Sequence, residues 1–322
     1  MRAVRISRYG GPEVLDVVDA DAPTPGPGQL LVDVAVAGVN FRDVYERRGL
    51  GYGGDLPLIP GSEGSGVVRE RGEGVSDVNV GDRVAWSNAP GSYAEQVVVE
   101  AAKALPVPQS VSDEIAAAVL LQGMTAHYLA HDVYPVQDGD TVLVHAGAGG
   151  VGLLLTQLVR ARGGRVIATV SSDEKADLAR AAGAFETLGY EGFGERVREL
   201  TGGEGVAAVY DGVGKTTFDE SLACLRVRGT MALYGASSGQ ADPVDPRRLM
   251  SGGSLILTRP SLPHFTRTRE ELLARSSAVL AAVGDGSLAV RIGGRYPLAD
   301  ARRAQEDLES RATTGKLLLV VR

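Results

Sequence analysis

The sequence predicts an α/β protein in which a doubly wound parallel-sheet domain interrupts a β-rich domain. Between residues 141 and 233, short apolar segments rich in β-branched residues alternate with segments of helical spacing. Strands that alternate with helices in this way form a parallel sheet covered by helices on both faces. Residues before 113 instead contain short strand-like segments with turn signals every few residues, which are typical of a β-rich domain.

A glycine-rich segment connects the first strand of the predicted parallel sheet to its first helix. Gly147, Gly149 and Gly152 fit the pattern G-x-G-x-x-G at this junction. In this context the pattern binds the pyrophosphate of a dinucleotide, because glycines allow a tight turn and the helix N-terminus offers free N–H groups. We therefore predict a Rossmann dinucleotide-binding domain, with a cofactor loop formed by Gly147, Gly149, Gly150, Val151 and Gly152.

The other predicted elements follow from local spacing and turn chemistry. Asn40 fits the N-cap of a short helix that begins at Phe41 and stops at Gly49. A longer helix is predicted at 113–130. The predicted strands lie at 3–6, 15–19, 29–36, 61–69, 81–86, 93–99, 141–144, 165–170, 206–211, 229–233 and 317–321, and further helices at 173–182 and 217–225.

Charge and composition argue against several function classes. The 322 residues carry a formal net charge of −7, which disfavours a nucleic-acid or anionic-membrane surface. The longest apolar runs are far shorter than a membrane span, and no apolar signal segment follows the basic start. Cys224 is the only cysteine, so no disulfide can form within the chain. We expect a cytoplasmic protein without nucleic-acid or membrane partners.

Several motifs resemble those of the medium-chain dehydrogenase/reductase superfamily, and more narrowly its zinc-free, ζ-crystallin-like quinone oxidoreductase branch. They include Gly-Gly-Pro-Glu-Val-Leu from Gly10, Gly-Val-Asn-Phe-Arg-Asp from Gly38, Gly-Ser-Glu-Gly-Ser-Gly-Val-Val from Gly61 and Thr-Arg-Pro-Ser-Leu from Thr258, besides the glycine motif. The resemblance implies a GroES-like catalytic domain and a Rossmann NADP(H)-binding domain with a cleft between them, and a homodimer formed through the Rossmann sheets. We place the catalytic domain at 1–124 and 260–322, and the Rossmann domain at 125–259.

The positions that resemble zinc ligands of the superfamily carry other residues here. Asn40 stands where zinc members have a cysteine, and their Gly-His-Glu segment reads Gly61-Ser-Glu63. The histidines do not cluster with acidic residues at ligand spacing; they are His127, His131, His145 and His264. We therefore predict no zinc and no other metal site.

A protein without a metal ion is expected to catalyse a reaction that does not develop an alkoxide. Hydride addition to a quinone gives a delocalised hydroquinone monoanion, which can take its proton from water. The sequence therefore predicts an NADPH-dependent reductase of small quinones. An enone or enoyl-thioester reductase is the enzymatic alternative, in which a tyrosine or water must protonate carbon. A structural or RNA-binding protein that binds a nucleotide is a third alternative, which the acidic charge disfavours.

The second strand of the predicted Rossmann domain favours NADPH over NADH. It ends at Ser171 and Ser172 without the acidic residue that binds the ribose 2′-OH in NAD-preferring domains. The resemblance places Lys175 and Tyr190 at the 2′-phosphate, whereas the acidic Asp173 and Glu174 would repel it if they faced it. Other cofactor positions implied by the resemblance are Asn40 and Thr125 near the nicotinamide, Ser237 and Ser238 in a loop, and Arg259, which can pair with a phosphate.

Tyrosines near the short predicted helix are the candidate substrate contacts. Tyr45 falls at a substrate-site position of the family and can stack on a quinone or donate a hydrogen bond to it. Tyr52 falls near the suspected proton donor of enoyl reductases, although the loop 49–54 is one residue longer here. Gln122 replaces a lysine of some relatives and cannot act as an acid, which fits a reaction that needs none.

Overall fold

The computed structural model describes residues 1–52 and 54–322, which form two compact units. One unit combines Met1–Leu121 with Thr266–Arg322, and the other is Gln122–Phe265. The domain edges predicted from the sequence, 124/125 and 259/260, lie a few residues from these divisions. Among the described residues, no helix is both long enough and apolar enough to cross a membrane.

The first segment of the chain is mainly β-structure. Asn40 occupies the N-cap position of a short helix, where the Asp43 carboxylate accepts its backbone N–H. The helix predicted at 113–130 ends at Tyr128, because the backbone continues as a π-helical turn over Leu129–Val133. The strands of this segment are β1 (Arg2–Arg5), β2 (Asp16–Asp19), β3 (Gln29–Val39), β4 (Glu63–Arg71), β5 (Arg83–Trp86), β6 (Gln96–Glu100) and β7 (Leu105–Pro106), and its helices are α1 (Phe41–Arg47) and α2 (Asp113–Tyr128).

The central unit alternates strands and helices. Its elements in chain order are β8 (Thr141–Val144), α3 (Gly150–Ala161), β9 (Arg165–Thr169), α4 (Asp173–Ala181), β10 (Glu186–Leu188), α5 (Phe193–Leu200), β11 (Val206–Asp211), α6 (Phe218–Ala223), β12 (Leu225–Leu233), α7 (Pro246–Ser251) and β13 (Ile256–Thr258). The strands pair in parallel in the order β10-β9-β8-β11-β12-β13. This is the strand order of the Rossmann fold, so the predicted doubly wound sheet is confirmed. The carboxyl ends of these strands lie at one edge, where such folds bind ligands.

After Phe265 the chain returns to the first unit. Its last elements are α8 (Arg269–Gly284), β14 (Ile292–Pro297), α9 (Ala301–Glu309) and β15 (Lys316–Val320). One sheet has the order β14-β15-β3-β4-β5-β7, and β6 also pairs with β3. Because Leu317 pairs with Val39 in the antiparallel β15–β3 register, Lys316 lies next to the end of β3 and hence to Asn40.

Each unit has its own apolar core. Val32, Trp86 and Leu319 are fully buried in the first unit, and Leu143 and Val209 are fully buried in the second. Every residue of β11 is buried, as expected for a strand of a parallel sheet covered on both faces. Packing within these cores fixes the positions of the strand ends that carry the candidate site residues.

Candidate active site

The glycine-rich loop between β8 and α3 has the geometry of a nucleotide-binding turn. Gly149 caps α3, and its N–H donates to the Ala146 carbonyl at 2.8 Å, which closes the turn. A Cβ atom at Gly152 would lie 2.3 Å from that same carbonyl oxygen, and one at Gly147 would lie 2.7 Å from the Ala168 side chain. Both positions therefore need glycine, and at Gly152 the close approach is to the backbone of the loop itself.

The first turn of α3 offers groups that can bind an anion. Gly150, Val151 and Gly152 form this turn, in which the backbone N–H groups have no acceptor within the helix. The Gln122 amide packs on the turn, since a Cβ atom at Gly150 would lie 1.9 Å from Gln122 Oε1. Thr125 is buried and lies three residues further along α2 on the same helix face as Gln122. The structure thus shows a steric reason for glycine at position 150, which the sequence did not reveal.

The residues predicted to bind a 2′-phosphate lie close to the carboxyl ends of β8 and β9. Lys175 Nζ donates to Ser171 Oγ at 3.0 Å, so the predicted cation and hydroxyl are neighbours. Burial lowers the pKa of Lys175 below its ordinary value. Tyr190 Oη accepts the N–H of Ala146 at 3.2 Å, which places this phenol against the start of the glycine loop.

The other predicted cofactor residues of this unit follow β12 and β13. Ser237 and Ser238 lie in the loop after β12, where Ser238 Oγ donates to the Val213 carbonyl at 2.8 Å. Arg259 is exposed, and its Nη1 donates to the Leu233 carbonyl at 2.7 Å. Because the strands are parallel neighbours, these residues lie at the same edge of the sheet as the glycine loop.

A buried histidine that was not predicted supports this edge. His145 ends the apolar run of β8, and its Nδ1 and Nε2 each lie 2.8 Å from a hydroxyl oxygen, that of Thr169 and that of Ser221 respectively. Burial lowers the pKa of His145, so the ring is neutral around pH 7. In the sequence, this role was indicated only by the position of His145, a polar residue directly after the apolar segment 142–144.

A buried aspartate, Asp211, supports the loop after β11, the strand that pairs with β8. Asp211 ends β11, and its Oδ1 accepts the N–H groups of Val213 at 2.6 Å and Gly214 at 2.9 Å. The Thr217 hydroxyl donates to Asp211 Oδ2 at 2.7 Å. These bonds fix the loop after β11, in which the Val213 carbonyl accepts the Ser238 hydroxyl.

In the unit that contains β3, the side chains of Asn40, Glu63 and Lys316 form a buried hydrogen-bonded cluster. Lys316 Nζ donates to Glu63 Oε2 at 2.5 Å and to Asn40 Oδ1 at 2.6 Å. Asn40 Nδ2 donates to Glu63 Oε2 at 3.0 Å, and the Leu121 N–H donates to Glu63 Oε1 at 2.6 Å. A Cβ atom at Gly38 would lie 2.6 Å from Glu63 Oε2, so only glycine lets these groups meet. The orientation of the Asn40 amide is therefore fixed, by a lysine that the sequence did not single out.

This cluster does not fit a metal ion. Asn40 and Glu63 stand at the positions that resemble zinc ligands, yet the ammonium group of Lys316 bonds to both side chains. A divalent cation placed there would be repelled by the lysine charge. Among residues 1–52 and 54–322, no group of three or more His, Cys, Asp and Glu side chains could hold a metal ion. Lys316 and Glu63 instead form a buried ion pair, to which the Asn40 amide is hydrogen-bonded.

The two candidate substrate tyrosines lie side by side. The ring centroids of Tyr45 and Tyr52 are 5.9 Å apart, with an interplanar angle of 27°. Phe41 extends this aromatic group, with its centroid 6.4 Å from that of Tyr45. Gly53, in the loop that the sequence indicates to be one residue longer, lies outside the described residues.

Two carboxyl groups of α1, those of Asp43 and Glu46, are buried. Asp43 Oδ2 accepts the Tyr93 hydroxyl at 2.9 Å, and Glu46 Oε2 accepts the Gly61 N–H at 3.2 Å. Burial raises the pKa of Asp43 to about 6. Burial and the neighbouring Asp43 charge raise the pKa of Glu46 to about 7.

Two family models match the chain. The model of the alcohol dehydrogenase GroES-like domain matches residues 26–109, and that of zinc-binding dehydrogenases matches residues 150–275. The quinone oxidoreductase of Pseudomonas aeruginosa is 41% identical over 322 residues, which cover 99% of each chain. The chain belongs to the quinone oxidoreductase branch of the medium-chain dehydrogenase/reductase superfamily. A 2-haloacrylate reductase from a Burkholderia species is also 40% identical over 327 residues, covering 99% of this chain and 98% of that protein.

Solved structures of the family share the fold. A mycobacterial protein complexed with NADPH has a TM-score of 0.97 at 53% identity, and each chain is covered completely. The Escherichia coli quinone oxidoreductase complexed with NADPH also has a TM-score of 0.97, at 40% identity and with complete coverage of both chains. The predicted pairing of a GroES-like domain with a Rossmann domain is confirmed, and this family member is an oxidoreductase.

Proposed function

We propose that this family member is an NADPH-dependent quinone reductase that transfers hydride to a small quinone without a metal ion. The observation that carries the proposal is the buried cluster in which Lys316 bonds to Asn40 and Glu63. The cluster contains its own cation, the ammonium group of Lys316, which disfavours zinc at these positions. A quinone is an acceptor that needs no Lewis acid, because its reduced anion is delocalised.

The residues of the central unit fit NADPH. The N–H groups of Gly150, Val151 and Gly152 are available to a pyrophosphate at the start of α3. Ser171 and Lys175 offer a hydroxyl and an ammonium group to the 2′-phosphate, where an NAD-preferring domain would have a carboxylate. NADPH-bound structures of a mycobacterial relative and of the E. coli quinone oxidoreductase support this assignment. We assign Tyr190, Ser237, Ser238 and Arg259 to the same cofactor, as the resemblance implies.

When bound, NADPH supplies the hydride, and the protein contributes orientation and a proton path. We assign Asn40 and Thr125 to the nicotinamide ring, with the Asn40 amide held in one orientation by Lys316 and Glu63. Tyr45 and Tyr52 are assigned to the acceptor, which their rings can stack against. The reduced quinone takes its proton from water or from a tyrosine hydroxyl. Gln122, an amide without an acidic proton, holds the first turn of α3.

The first test is the loss of NADPH absorbance with 1,4-benzoquinone and, separately, with a crotonyl thioester. Each assay is repeated with NADH and with a chelator. We expect turnover of the quinone with NADPH, weaker turnover with NADH, and no effect of the chelator. Turnover of the thioester alone would overturn the proposal in favour of an enoyl reductase, and loss of activity with chelator would overturn the metal-free mechanism.

An alkene reductase is the second candidate. The 40% identity to a 2-haloacrylate reductase favours it, because that relative is named for a conjugated alkene. Protonation at carbon would then fall to Tyr45 or Tyr52, whose phenols lie close together. Phenylalanine variants of the two tyrosines, assayed with 2-chloroacrylate and with benzoquinone, separate the candidates: an alkene reductase loses activity with the proton donor, whereas a quinone reductase retains most of it.

We also propose a cytoplasmic homodimer that forms through the Rossmann sheets. The edge strand β13 exposes Ile256, and Val227 and Met250 are also exposed, at 55%, 69% and 70% of their surface respectively. Exposed apolar side chains at a sheet edge are typical of an interface between chains. Light scattering of the purified protein should give the mass of two chains, and an Ile256→Glu variant should give the mass of one.

A further inference from the structure

The guanidinium group of Arg42 lies beside the candidate substrate tyrosines. Its Cζ is 5.6 Å from the centroid of the Tyr52 ring, and its Nη1 donates to Asn88 Oδ1 at 2.8 Å. We call Phe41, Arg42, Tyr45, Tyr52 and Asn88 the Arg42 surface. Tyr52 is 44% exposed, so this surface is accessible to solvent.

The charge of Arg42 is not neutralised by an ion pair. Its partners are the neutral amide of Asn88 and the ring of Tyr52, and no carboxylate of the described residues lies within ion-pair distance of it. The buried carboxyl groups of the same helix, Asp43 and Glu46, accept hydrogen bonds from Tyr93 and Gly61 respectively. Burial raises the pKa of Asp43 to about 6 and that of Glu46 to about 7, although the Arg42 charge lowers both, so Glu46 is only partly ionised at neutral pH.

A cation held next to stacked aromatic rings matches a ligand that is both flat and anionic. Aromatic faces attract a conjugated ring or alkene, and a guanidinium group forms two parallel hydrogen bonds with a carboxylate or sulfonate. Because Asn88 engages only Nη1, the Nη2 and Nε groups of Arg42 are available for such an anion.

We propose that Arg42 is a specificity-determining residue that selects electron acceptors whose conjugated system carries a carboxylate or sulfonate. The inference rests on the proposed function, since it assumes that Tyr45 and Tyr52 contact the acceptor. It narrows the substrate class from quinones in general to acidic quinones and acidic conjugated alkenes.

The turnover test compares 1,2-naphthoquinone with 1,2-naphthoquinone-4-sulfonate in wild type and in Arg42→Gln and Arg42→Lys variants. We expect Arg42→Gln to lower kcat/KM about 10- to 100-fold for the sulfonate and less than about threefold for the neutral quinone, as for the loss of a charge-assisted hydrogen bond. Arg42→Lys should fall between, because lysine keeps the charge but not the planar fork. Equal losses for the two quinones, or no loss for the sulfonate, would overturn the proposal.

Arg48→Gln is the matched control. Arg48 lies directly after α1, is half-exposed, and pairs with Glu309 instead of facing the rings. This variant removes the same charge from the same region, so it reports long-range attraction of anions. If it lowers kcat/KM for the sulfonate as much as Arg42→Gln does, Arg42 has no specific role.

A binding measurement separates this inference from the proposed function. The Kd of 2-naphthalenesulfonate and of neutral 2-naphthol is measured by calorimetry, without turnover. We expect Arg42→Gln to weaken binding of the sulfonate about 10-fold or more and to leave 2-naphthol unchanged. If neither quinone is reduced by wild type, the proposed function fails, while this binding difference still decides the role of Arg42. Equal affinities of wild type and variant for the sulfonate would refute that role.

Discussion

Lys316 donates a 2.5 Å hydrogen bond to Glu63, although the two residues are 253 positions apart in the chain and both side chains are essentially buried. The contact exists because β15 pairs antiparallel with β3, so that β15 begins beside Asn40, where β3 ends. The stability of the protein depends on both partners of such a buried ion pair, because removal of one partner leaves the other charge unpaired in a medium of low polarity.

Lys316→Met should therefore destabilise the protein by about 3–5 kcal/mol, and the double variant Glu63→Gln/Lys316→Met should recover most of that loss. Urea unfolding of the three proteins measures the difference. Lys103→Met, which removes an exposed pair with Glu100, should change the free energy of unfolding by less than about 1 kcal/mol. A Lys316→Met protein as stable as wild type would contradict the prediction. Activity of the double variant then reports whether the Asn40 amide must be held by Lys316.

Gly152→Ala should abolish NADPH binding, whereas Gly150→Ala should weaken it less. At Gly152 the new Cβ atom would meet the backbone carbonyl of Ala146, which cannot move without disrupting the turn. At Gly150 the obstacle is the Gln122 side chain, so Gly150→Ala/Gln122→Ala should bind NADPH more tightly than Gly150→Ala. Fluorescence titration with NADPH measures each Kd. Gly54→Ala, with open space around its new Cβ atom, is the control and should bind as wild type does.

Lys175→Met should shift the cofactor preference towards NADH. The ratio of kcat/KM for NADPH to that for NADH should fall about 10-fold or more, because only NADPH presents a phosphate to this ammonium group. Arg180→Met lies on the same helix and pairs with Asp177, and it should leave the ratio unchanged. A loss of the same size with both cofactors would show that Lys175 has a structural role instead.

The buried carboxyl groups of α1 should make the protein less stable as the pH rises towards neutrality. The pKa of Asp43 is raised from 3.8 to about 6 and that of Glu46 from 4.5 to about 7, so the folded state holds protons that the unfolded state has released. The stabilisation is complete below about pH 4 and is lost as the pH rises to about 7, with a slope of at most about 1.4 kcal/mol per pH unit for one group. Urea unfolding from pH 5 to pH 8 should show this slope. Glu46→Gln should flatten it above pH 6, and an unchanged slope would exclude Glu46 as its source.

The parallel sheet could be predicted because its central strands are continuous apolar runs. All residues of β11 are buried, and the sequence there reads as a buried strand. The short edge strands β10 and β13 have three residues each and escaped prediction, since three residues do not establish a period. Strand β14 was missed because its residues alternate between half-buried and exposed and include Gly293 and Gly294.

The candidate site could be predicted where it is local in sequence. The glycine motif and the N-cap position of Asn40 depend on a few neighbouring residues, so their positions could be read directly. The partnership of Asn40 with Lys316 depends on the register between β3 and β15, which no local pattern specifies. The contact between Gln122 and Gly150 was missed because it depends on how α2 packs against the start of α3, which no local pattern specifies.

The position of Lys316 in the chain also has a consequence for synthesis. A ribosome completes Asn40 and Glu63 long before it reaches β15, so for most of translation the nascent chain contains the Glu63 carboxylate without the lysine that pairs with it in the folded protein. The parallel-sheet unit, Gln122–Phe265, is synthesised completely before β15 and is therefore the first of the two that can finish folding. The other unit, Met1–Leu121 with Thr266–Arg322, can finish folding only after its last strand has been synthesised. Ribosome-bound chains that stop before residue 316 should therefore contain a protease-resistant central unit and a protease-sensitive N-terminal segment.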